Sequence, residues 1–440
     1  MAALNGAAVA TAVEVTSLDQ EGRGLAHADG KVIFIEGALP GERVTFRSHI
    51  KKPTYEIARV ETLLRESAQR VTPRCPHFGV CGGCSLQHLD ARAQVASKQR
   101  ILEEALAHIG KVSADTILPA VQGAAWGYRE RARFSARYVP KKGGALIGFR
   151  EKRSSYVADM RTCEVVPPRI SQLLTPLREL VNRLSHPTRL PQIELAVGEG
   201  RDVLVLRILE PLTPEDEMLL REFADRHRVQ FYLQTRGPDT AAPFYPAGEG
   251  ALYYRLPDFG LEIGFSPTEF TQVNTQVNAV LVRRAIALLE PQAGEHIADM
   301  FCGLGNFTLA IARSGAQVLG IDGAASLIGR ARANAVRNGL SASTQFKVAN
   351  LFAPDAGQYE ALGRFDRMLI DPPRDGAVEL IKALDRLAPR RVVYVSCNPA
   401  TLARDAGVLV QVHGYALKAA GVLNMFPHTA HVESIAVFER

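Results

Sequence analysis

The 440-residue chain lacks any apolar run that approaches the roughly 20 uninterrupted apolar residues of a membrane-spanning helix. Residues 1–13 are small and apolar, but no positive charge precedes them, which is atypical of a secretory signal. These absences predict a cytoplasmic protein with no membrane partner. With 47% hydrophobic and 22% charged residues, a chain of this length is expected to fold as two or three domains.

Cysteine is also scarce, since only six are present and three of them fall between Cys75 and Cys84. Six cysteines in so long a chain exclude a secreted disulfide framework, and a cluster in a reducing compartment is more often a metal site. Cys75-x5-Cys81-x2-Cys84 with a remote Cys163 supplies four thiolates. A structural zinc site usually has two close pairs, so this spacing favours a [4Fe-4S] cluster and leaves zinc as the alternative. The cysteine spacing also differs from the C-x3-C-x2-C pattern of radical enzymes that cleave S-adenosylmethionine, which argues against an enzyme of that class.

Positive charge is concentrated in one short stretch. The whole chain carries a formal charge of +6, whereas Arg129–Arg153 alone contains nine basic and two acidic residues, a local net charge of +7. A concentration of this kind is typical of a surface that faces phosphate groups.

Three regions differ in their pattern. Short β-rich runs alternate with turns from Val13 to Leu64, which predicts a small antiparallel barrel ending near residue 70. A helix is predicted over Ala91–Gly110, followed by a strand-rich segment over Tyr128–Gly264. After Gly264 helices and buried strands alternate, which is typical of the doubly wound parallel sheet of an α/β fold.

This last region begins with a predicted helix over Asn274–Glu290. Its predicted buried strands are His296–Phe301, Gln317–Ile321, Phe365–Ile370 and Arg391–Val395. The last run, His431–Glu439, is predicted to be a short strand that closes the edge of the sheet.

A glycine loop follows the first of these strands. In Asp299-Met-Phe-Cys-Gly-Leu-Gly305, the glycines allow the backbone to approach a ligand, and Asp322 ends the next strand, where an acid can bind a ribose. The loop lacks the third glycine of the dinucleotide fingerprint, which argues against NAD. Together with Asp371-Pro-Pro-Arg374 after a later strand, these features predict S-adenosylmethionine as the cofactor.

A thiol at the end of the next strand predicts the chemistry. Cys397 precedes Asn398-Pro399, and the proline turns the chain outward so that the thiol faces the crevice. C5 of uracil is too weak a nucleophile to attack a methyl sulfonium unless a thiolate first adds to C6. Removal of the C5 proton then requires a general base, for which Glu433 is the candidate and His428 and His431 are the alternatives.

With these motifs the chain resembles the RlmD-type 23S ribosomal RNA uracil-C5 methyltransferases of the RNA m5U methyltransferase family. The most specific match is Ser396-Cys-Asn-Pro-Ala-Thr-Leu-Ala-Arg404, and the likeness runs nearly the whole length. It implies Cys397 as nucleophile, Glu433 as base, a [4Fe-4S] cluster on the four cysteines and 23S ribosomal RNA as partner of a monomer. It also implies that S-adenosylmethionine is bound by Gln272, Phe301, Asn306, Asp322, Asn350 and Asp371. Two positions depart from the family's pattern. The family commonly has glutamate where this chain has Asp322, and it has Asp-Pro-Ala-Arg where this chain has Asp371-Pro-Pro-Arg374.

The resemblance also implies the domains. Residues 1–70 would form a TRAM-like RNA-binding barrel, 71–92 with 128–264 a central iron-sulfur domain, and 93–127 with 265–440 the Rossmann-like methyltransferase domain. Three alternatives remain. A uracil-C5 methyltransferase could act on another RNA site, and a cytosine-C5 enzyme would place a cysteine beside the Asp-Pro motif, where this chain has none. An inactive RNA-binding or assembly factor would not need Cys397 and Glu433.

Overall fold

The computed structural model describes residues 11–248, 252–354 and 357–440, so most of the apolar start lies outside the described residues. The first unit is a six-stranded antiparallel-rich barrel with the order β1-β5-β6-β4-β3-β2. Its alternating buried side chains, such as Ile33 and Ile35, form a small separate core. The strands are β1 (Ala12–Glu14), β2 (Ser17–Leu18), β3 (Gly24–Ala28), β4 (Lys31–Glu36), β5 (Arg43–Lys51) and β6 (Tyr55–Arg65).

A helix follows the barrel and the cysteine-bearing segment of residues 66–90. Helix α1 (Ala91–Ala105) begins where the Asp90 side chain accepts a hydrogen bond from the Arg92 amide, and a π-helical turn (Leu106–Gly110) continues it. The predicted helix is therefore confirmed, with a change of helix type in its last turn. A two-residue strand, β7 (Thr116–Ile117), follows.

The second unit is a mixed sheet with the order β13-β12-β11-β10-β8-β9. The prediction of a purely strand-rich segment is incomplete, because three helices pack with the sheet and one of them provides the crossover between parallel β11 and β12. The elements are β8 (Arg131–Val139), β9 (Gly144–Gly148), α2 (Pro168–Ser171), α3 (Leu174–Arg183), β10 (Gln192–Gly198), β11 (Arg201–Arg207), α4 (Pro214–His227), β12 (Val229–Gln234) and β13 (Ala242–Tyr245). A hairpin of β14 (Tyr253–Leu256) and β15 (Leu261–Gly264) leads onward.

The third unit is the predicted doubly wound sheet, with the order β18-β17-β16-β19-β20-β22-β21-β7. The elements are α5 (Thr275–Leu289), β16 (His296–Met300), α6 (Thr308–Ala312), β17 (Gln317–Asp322), α7 (Ala325–Arg337), β18 (Thr344–Val348), β19 (Arg367–Ile370), α8 (Val378–Lys382), α9 (Leu384–Leu387), β20 (Arg391–Ser396), α10 (Pro399–Gln411), β21 (Ala416–Leu423) and β22 (Glu433–Glu439). The five neighbouring strands β18, β17, β16, β19 and β20 are parallel to one another, while β22 is antiparallel to both β20 and β21.

One strand prediction is wrong in its position. The C-terminal strand β22 does not close the sheet edge but lies between β20 and β21, and both its faces are buried. Helix α1 packs against β21 and α10, and β7 pairs with β21. Segments that precede the central sheet in sequence therefore complete the C-terminal unit. Within the described residues, no helix combines the length and apolarity needed to cross a lipid bilayer.

Candidate active site

Four chemically distinctive residues meet at the carboxyl edge of the third sheet. Asp299 lies near the end of β16, Asp371 directly follows β19 and Cys397 directly follows β20. Because these strands are parallel and adjacent, their carboxyl ends emerge side by side in one crevice. Glu433 is the first residue of β22, which runs the opposite way beside β20 and so starts at the same edge.

The register of β20 and β22 brings the thiol and the acid together. The last aligned pair is Ser396 with Ser434, and the Ser434 hydroxyl donates to the Ser396 carbonyl at 3.0 Å. Continuing this register by one residue sets Cys397 opposite Glu433 at the edge of the sheet. Cys397 is partly exposed, so it is not packed inside the sheet, whereas Glu433 is only 3% exposed.

The turn after Cys397 is set by local capping. The Asn398 side chain accepts from the Ala400 amide at 3.1 Å and Pro399 is the first residue of α10. The side-chain amide nitrogen of Asn398 and the Thr401 hydroxyl both donate to the Arg374 carbonyl, at 3.0 and 3.2 Å. The segment after the thiol therefore also holds the Asp371–Arg374 loop in place.

The electrostatics of the crevice oppose negative charge. Burial, and then repulsion from Asp371, raises the pKa of Glu433 well above its usual value. Burial and the neighbouring Asp299 raise the pKa of Asp371 to about 7. Burial, Glu433 and Asp371 raise the pKa of Cys397 to about 11, which the nearby Arg374 partly counteracts. With its raised pKa, the Cys397 thiol carries its proton at neutral pH, so any reaction through the sulfur must include a step that removes that proton.

The glycine loop after β16 forms an open cradle. Phe301 and Gly303 have φ angles of +66° and +54°, and a Cβ at Gly303 would meet no atom within 4 Å. The Gly303 amide donates to Asp322 at 3.1 Å and the Ala324 amide donates to the same carboxylate at 2.8 Å. The buried Asp299 accepts from Thr308 with one oxygen, while its other oxygen has no partner among the described residues. An open loop beside an unsatisfied buried carboxylate fits the adenosyl and amino groups of S-adenosylmethionine.

Asn306, another predicted cofactor residue, is already engaged. Its carbonyl oxygen accepts from the Tyr254 hydroxyl at 2.9 Å and from Asn278 at 3.0 Å, and its amide donates back to Asn278 at 3.1 Å. The Asn306 side chain therefore anchors the glycine loop to Tyr254 and Asn278, and its hydrogen bonds do not point into the open space of the loop. The sequence analysis missed Tyr254 and Asn278, although Asn278 is a polar residue on the apolar face of a helix, which is a recognisable signal.

The remaining predicted cofactor residues lie on two flanking loops. Asn350, after β18, is exposed and accepts from the Phe352 and Ala353 amides at 2.9 and 3.2 Å. Gln272 is half-buried in the segment before α5. That segment approaches the turn before Glu433, since Asn274 donates to the Met425 carbonyl at 3.5 Å.

The two alternative histidine bases differ sharply. His428 is 4% exposed, its ring stacks on Trp126 at 3.8 Å, and burial lowers its pKa to about 4. Its burial and its stacking on Trp126 fit a structural histidine better than a general base. His431 is exposed at the crevice rim, with Nδ1 at 3.3 Å from the Arg374 guanidinium.

A second set of cysteines surrounds a small separate cavity. Its lining includes Phe149, Met160 and the four predicted ligands Cys75, Cys81, Cys84 and Cys163. Among the described residues, no three His, Cys, Asp or Glu side chains are grouped closely enough to hold one metal ion. The arrangement of the described residues therefore does not show the predicted metal site. Four thiols around a common space nevertheless have the donor chemistry of an iron-sulfur site, whose cluster spreads its ligands more widely than a single ion does.

A broad groove extends from the cysteine cavity to His431 at the rim of the crevice. It is bounded by the barrel, by Gly82–Ser85 beside the cysteine cavity and by His431 at the crevice, and its basic lining includes Arg129, Arg150 and Lys152. Not all of the basic stretch faces outward. Arg131, expected on this surface, is largely buried and donates to the Glu269 carbonyl at 2.7 Å.

Two family profiles and several named proteins match this chain. The sequence profile of the tRNA (Uracil-5-)-methyltransferase family matches residues 261–440, and that of the TRAM domain matches residues 11–47. A protein of Nitrosospira multiformis named 23S rRNA (uracil(1939)-C(5))-methyltransferase RlmD is 64% identical, over 97% of this chain and 98% of that protein. One of the same name from Dechloromonas aromatica is 58% identical over 97% and 99% of the two chains.

Among solved structures, the chain is similar to Pyrococcus abyssi tRNA (uracil-54, C5)-methyltransferase in complex with S-adenosyl-L-homocysteine. The TM-score is 0.74 at 26% identity, and the match covers 97% of this chain and 99% of the other. The similarity therefore extends over all three units rather than over the doubly wound sheet alone.

Proposed function

Because the chain belongs to the RlmD-type 23S rRNA uracil-C5 methyltransferases, we propose that it methylates C5 of a uridine in 23S ribosomal RNA through a covalent bond between Cys397 and C6. The relatives' names specify uridine 1939, and the corresponding uridine is the proposed target. The observation that carries the proposal is the strand register that sets Cys397 opposite Glu433 beside the glycine loop. Because the proposed substrate is ribosomal RNA, the protein is proposed to act in the cytoplasm.

The proposed reaction uses the two facing residues in sequence. The Cys397 thiol passes its proton to solvent water, and the thiolate adds to C6, which moves the electron pair of the C5–C6 double bond towards C5 and gives an enolate. Bound S-adenosylmethionine supplies the methyl group that this carbon accepts. The Glu433 carboxylate then takes the C5 proton, the C5–C6 double bond re-forms and the thiolate leaves. Arg374 favours the thiolate, because it is the cation that counteracts the raised pKa of Cys397.

The cofactor is proposed to lie along the glycine loop. Asp322 is the proposed ribose ligand and Asp371 the acid beside the reacting centre, with Gln272, Phe301 and Asn350 around them. Asn306 contributes by holding the loop through Asn278 and Tyr254. The shorter Asp322 carboxylate already accepts from Gly303 and Ala324, so its remaining lone pairs would meet the ribose.

The cysteine cavity is proposed to hold a [4Fe-4S] cluster on Cys75, Cys81, Cys84 and Cys163. The support is that the four thiols line one space otherwise bounded mainly by apolar side chains. The proposed domain limits remain 1–70 for the barrel, 71–92 with 128–264 for the central domain and 93–127 with 265–440 for the methyltransferase domain. A monomer is proposed because nucleophile, base and glycine loop all come from one chain.

RNA is proposed to bind in the basic groove between the two cysteine sites. The TRAM match to residues 11–47 and the cationic lining at Arg129, Arg150 and Lys152 support this path. A strand entering there would reach the rim at His431 and so the crevice.

The test is a map of 5-methyluridine in 23S ribosomal and transfer RNA from cells with and without the gene. The expected result is loss of one 5-methyluridine from 23S RNA, restored by wild type and not by Cys397→Ala. Loss from transfer RNA would favour the second candidate, suggested by the Pyrococcus enzyme, in which another RNA is the substrate. An unchanged map, or loss of a methylated cytosine, would contradict the proposal.

A further inference from the structure

A buried lysine stands in helix α1 without an acidic partner. Lys98 is 1% exposed, and no carboxylate lies within ion-pair distance of it among the described residues. Its ammonium donates to the Asn424 side-chain oxygen at 2.7 Å and to the Phe426 carbonyl at 2.9 Å. Burial lowers its pKa to about 7. Because an unpaired buried ammonium is costly, these two hydrogen bonds are the contacts that offset the burial of the charge.

One helical turn earlier, Gln94 makes a second buried connection to the same segment. It is fully buried, its carbonyl oxygen accepts from the His428 amide at 2.8 Å, and its amide nitrogen donates to the Leu89 carbonyl at 2.8 Å. The same nitrogen lies 3.0 Å from the Leu86 carbonyl. Residues four apart share one face of a helix, so Gln94 and Lys98 act on one surface of the turn.

That turn, residues 424–431, is also held from the cysteine-bearing segment. The Ser85 and Leu86 amides both donate to the His428 carbonyl at 2.9 Å, and the Ala430 amide donates to the Ser85 hydroxyl at 3.1 Å. His428 has a φ angle of +64°, which a non-glycine residue rarely adopts. The turn is therefore kept in an unfavourable conformation by surrounding contacts.

The turn leads directly into the proposed general base. It connects β21 to β22, and Glu433 begins β22 opposite Leu423, the last residue of β21. A shift of the turn would move Glu433 relative to Cys397 without touching the glycine loop or the thiol.

We infer that Gln94 and Lys98 form a latch that positions Glu433 for removal of the C5 proton, by fixing the turn of residues 424–431. The inference rests on the proposed function, and both are positioning residues, since neither touches the reacting atoms. The latch also links the cysteine-bearing segment to the base, because Ser85 and Gln94 hold the same His428 backbone.

The test compares wild type with Lys98→Met and Gln94→Met in the full chain. Arg100→Met is the matched control, because Arg100 is on the exposed side of α1 and forms an ion pair with Glu104 on the same helix. Two substrates separate the steps. With uridine RNA, turnover needs the base. With 5-fluorouridine RNA, fluorine replaces the C5 proton, so the adduct forms and accumulates without the base.

For both latch variants, kcat on uridine RNA is expected to fall roughly 10- to 100-fold, as for a misplaced catalytic group. RNA and cofactor Kd values, and the rate of 5-fluorouridine adduct formation, should stay within about twofold of wild type. Hydrogen exchange of the His428 and Ala430 amides should speed up about tenfold or more. Arg100→Met should match wild type in every measurement.

Unchanged kcat in both latch variants would overturn the inference, and so would adduct formation that falls in step with turnover. If Lys98→Met does not fold, Gln94→Met carries the same test. Failure of wild type itself to form the adduct would instead overturn the proposed function, while faster amide exchange in the variants would still support the latch.

Discussion

The chain has two cysteine sites that share an element, the thiol, and differ in everything around it. Cys397 directly follows a parallel strand, is partly exposed and lies near two carboxylates and one arginine. Cys75, Cys81, Cys84 and Cys163 instead line one small space whose remaining neighbours include Phe149 and Met160. The proposed roles of the two sites therefore differ because of the groups around each thiol. A lone thiol with a facing acid suits covalent chemistry, whereas four thiols around one space suit a bound cluster.

The largest effect that this comparison predicts is on the single cysteine. Cys397→Ala should lower methylation by at least about 1,000-fold, because it removes the thiol that is proposed to add to C6. It should also prevent the 5-fluorouridine adduct, while RNA binding stays close to wild type. The measurements are methyl transfer from labelled cofactor, adduct formation on denaturing gels and RNA Kd. Residual methylation within tenfold of wild type would remove the distinction between the two sites.

The second prediction concerns the set of four. Cys163→Ser should reduce bound iron from about four per chain to near zero and lower the unfolding temperature, because one of four ligands is lost. Cys397→Ala serves as the control and should retain full iron. Iron and zinc are measured together. One zinc and no iron in wild type would establish the alternative ion, and equal iron in both variants would contradict the proposed ligands.

The third prediction follows from charge around Cys397. Both the thiol and Glu433 act without their protons and have a raised pKa, so kcat/KM for RNA should fall as pH decreases. Asp371 contributes to raising both. Asp371→Asn should therefore lower both pKa values and move the acidic limb of the profile to lower pH at saturating cofactor. A limb that stays in place or moves to higher pH would show that burial alone controls the site.

The smallest predicted effect lies in the groove between the two sites. Arg150→Ala and Lys152→Ala should each weaken RNA binding several-fold and reduce the slope of log Kd against log salt by about 1. Arg133→Ala is the comparison, since Arg133 is already paired with Glu194 at 3.0 Å and should change the slope less. Equal slopes for all three variants would mean that the groove is not the path of the RNA.

Local patterns predicted much of the molecule correctly. The doubly wound sheet was recognisable because buried parallel strands are short apolar runs with helices between them, and the glycine loop and Cys397-Asn398-Pro399 because backbone turns need specific residues. The position of β22 was not recognisable. Its apolar run is the same whether it pairs with one strand or two, and only the long-range pairing with β20 and β21 decides that.

Individual side chains show the same division. Arg131 and His428 looked like a surface cation and a possible base, yet both are largely buried, because burial depends on what other segments cover them. Gln94 and Lys98 were missed, although two polar residues four apart on the apolar face of α1 are a detectable signal.

The sequence by itself determined which chemical groups the protein carries: one thiol in a strand-end turn, four thiols in a specific spacing and a glycine loop that leaves room for a ligand. These follow from local backbone geometry and residue chemistry. Only the tertiary structure decided that Glu433 faces Cys397, that the four cysteines share one cavity and that a buried lysine holds the turn between β21 and β22. Those relations join residues tens or hundreds of positions apart, and chain packing, not local preference, determines the distances and burial on which their reactivity depends.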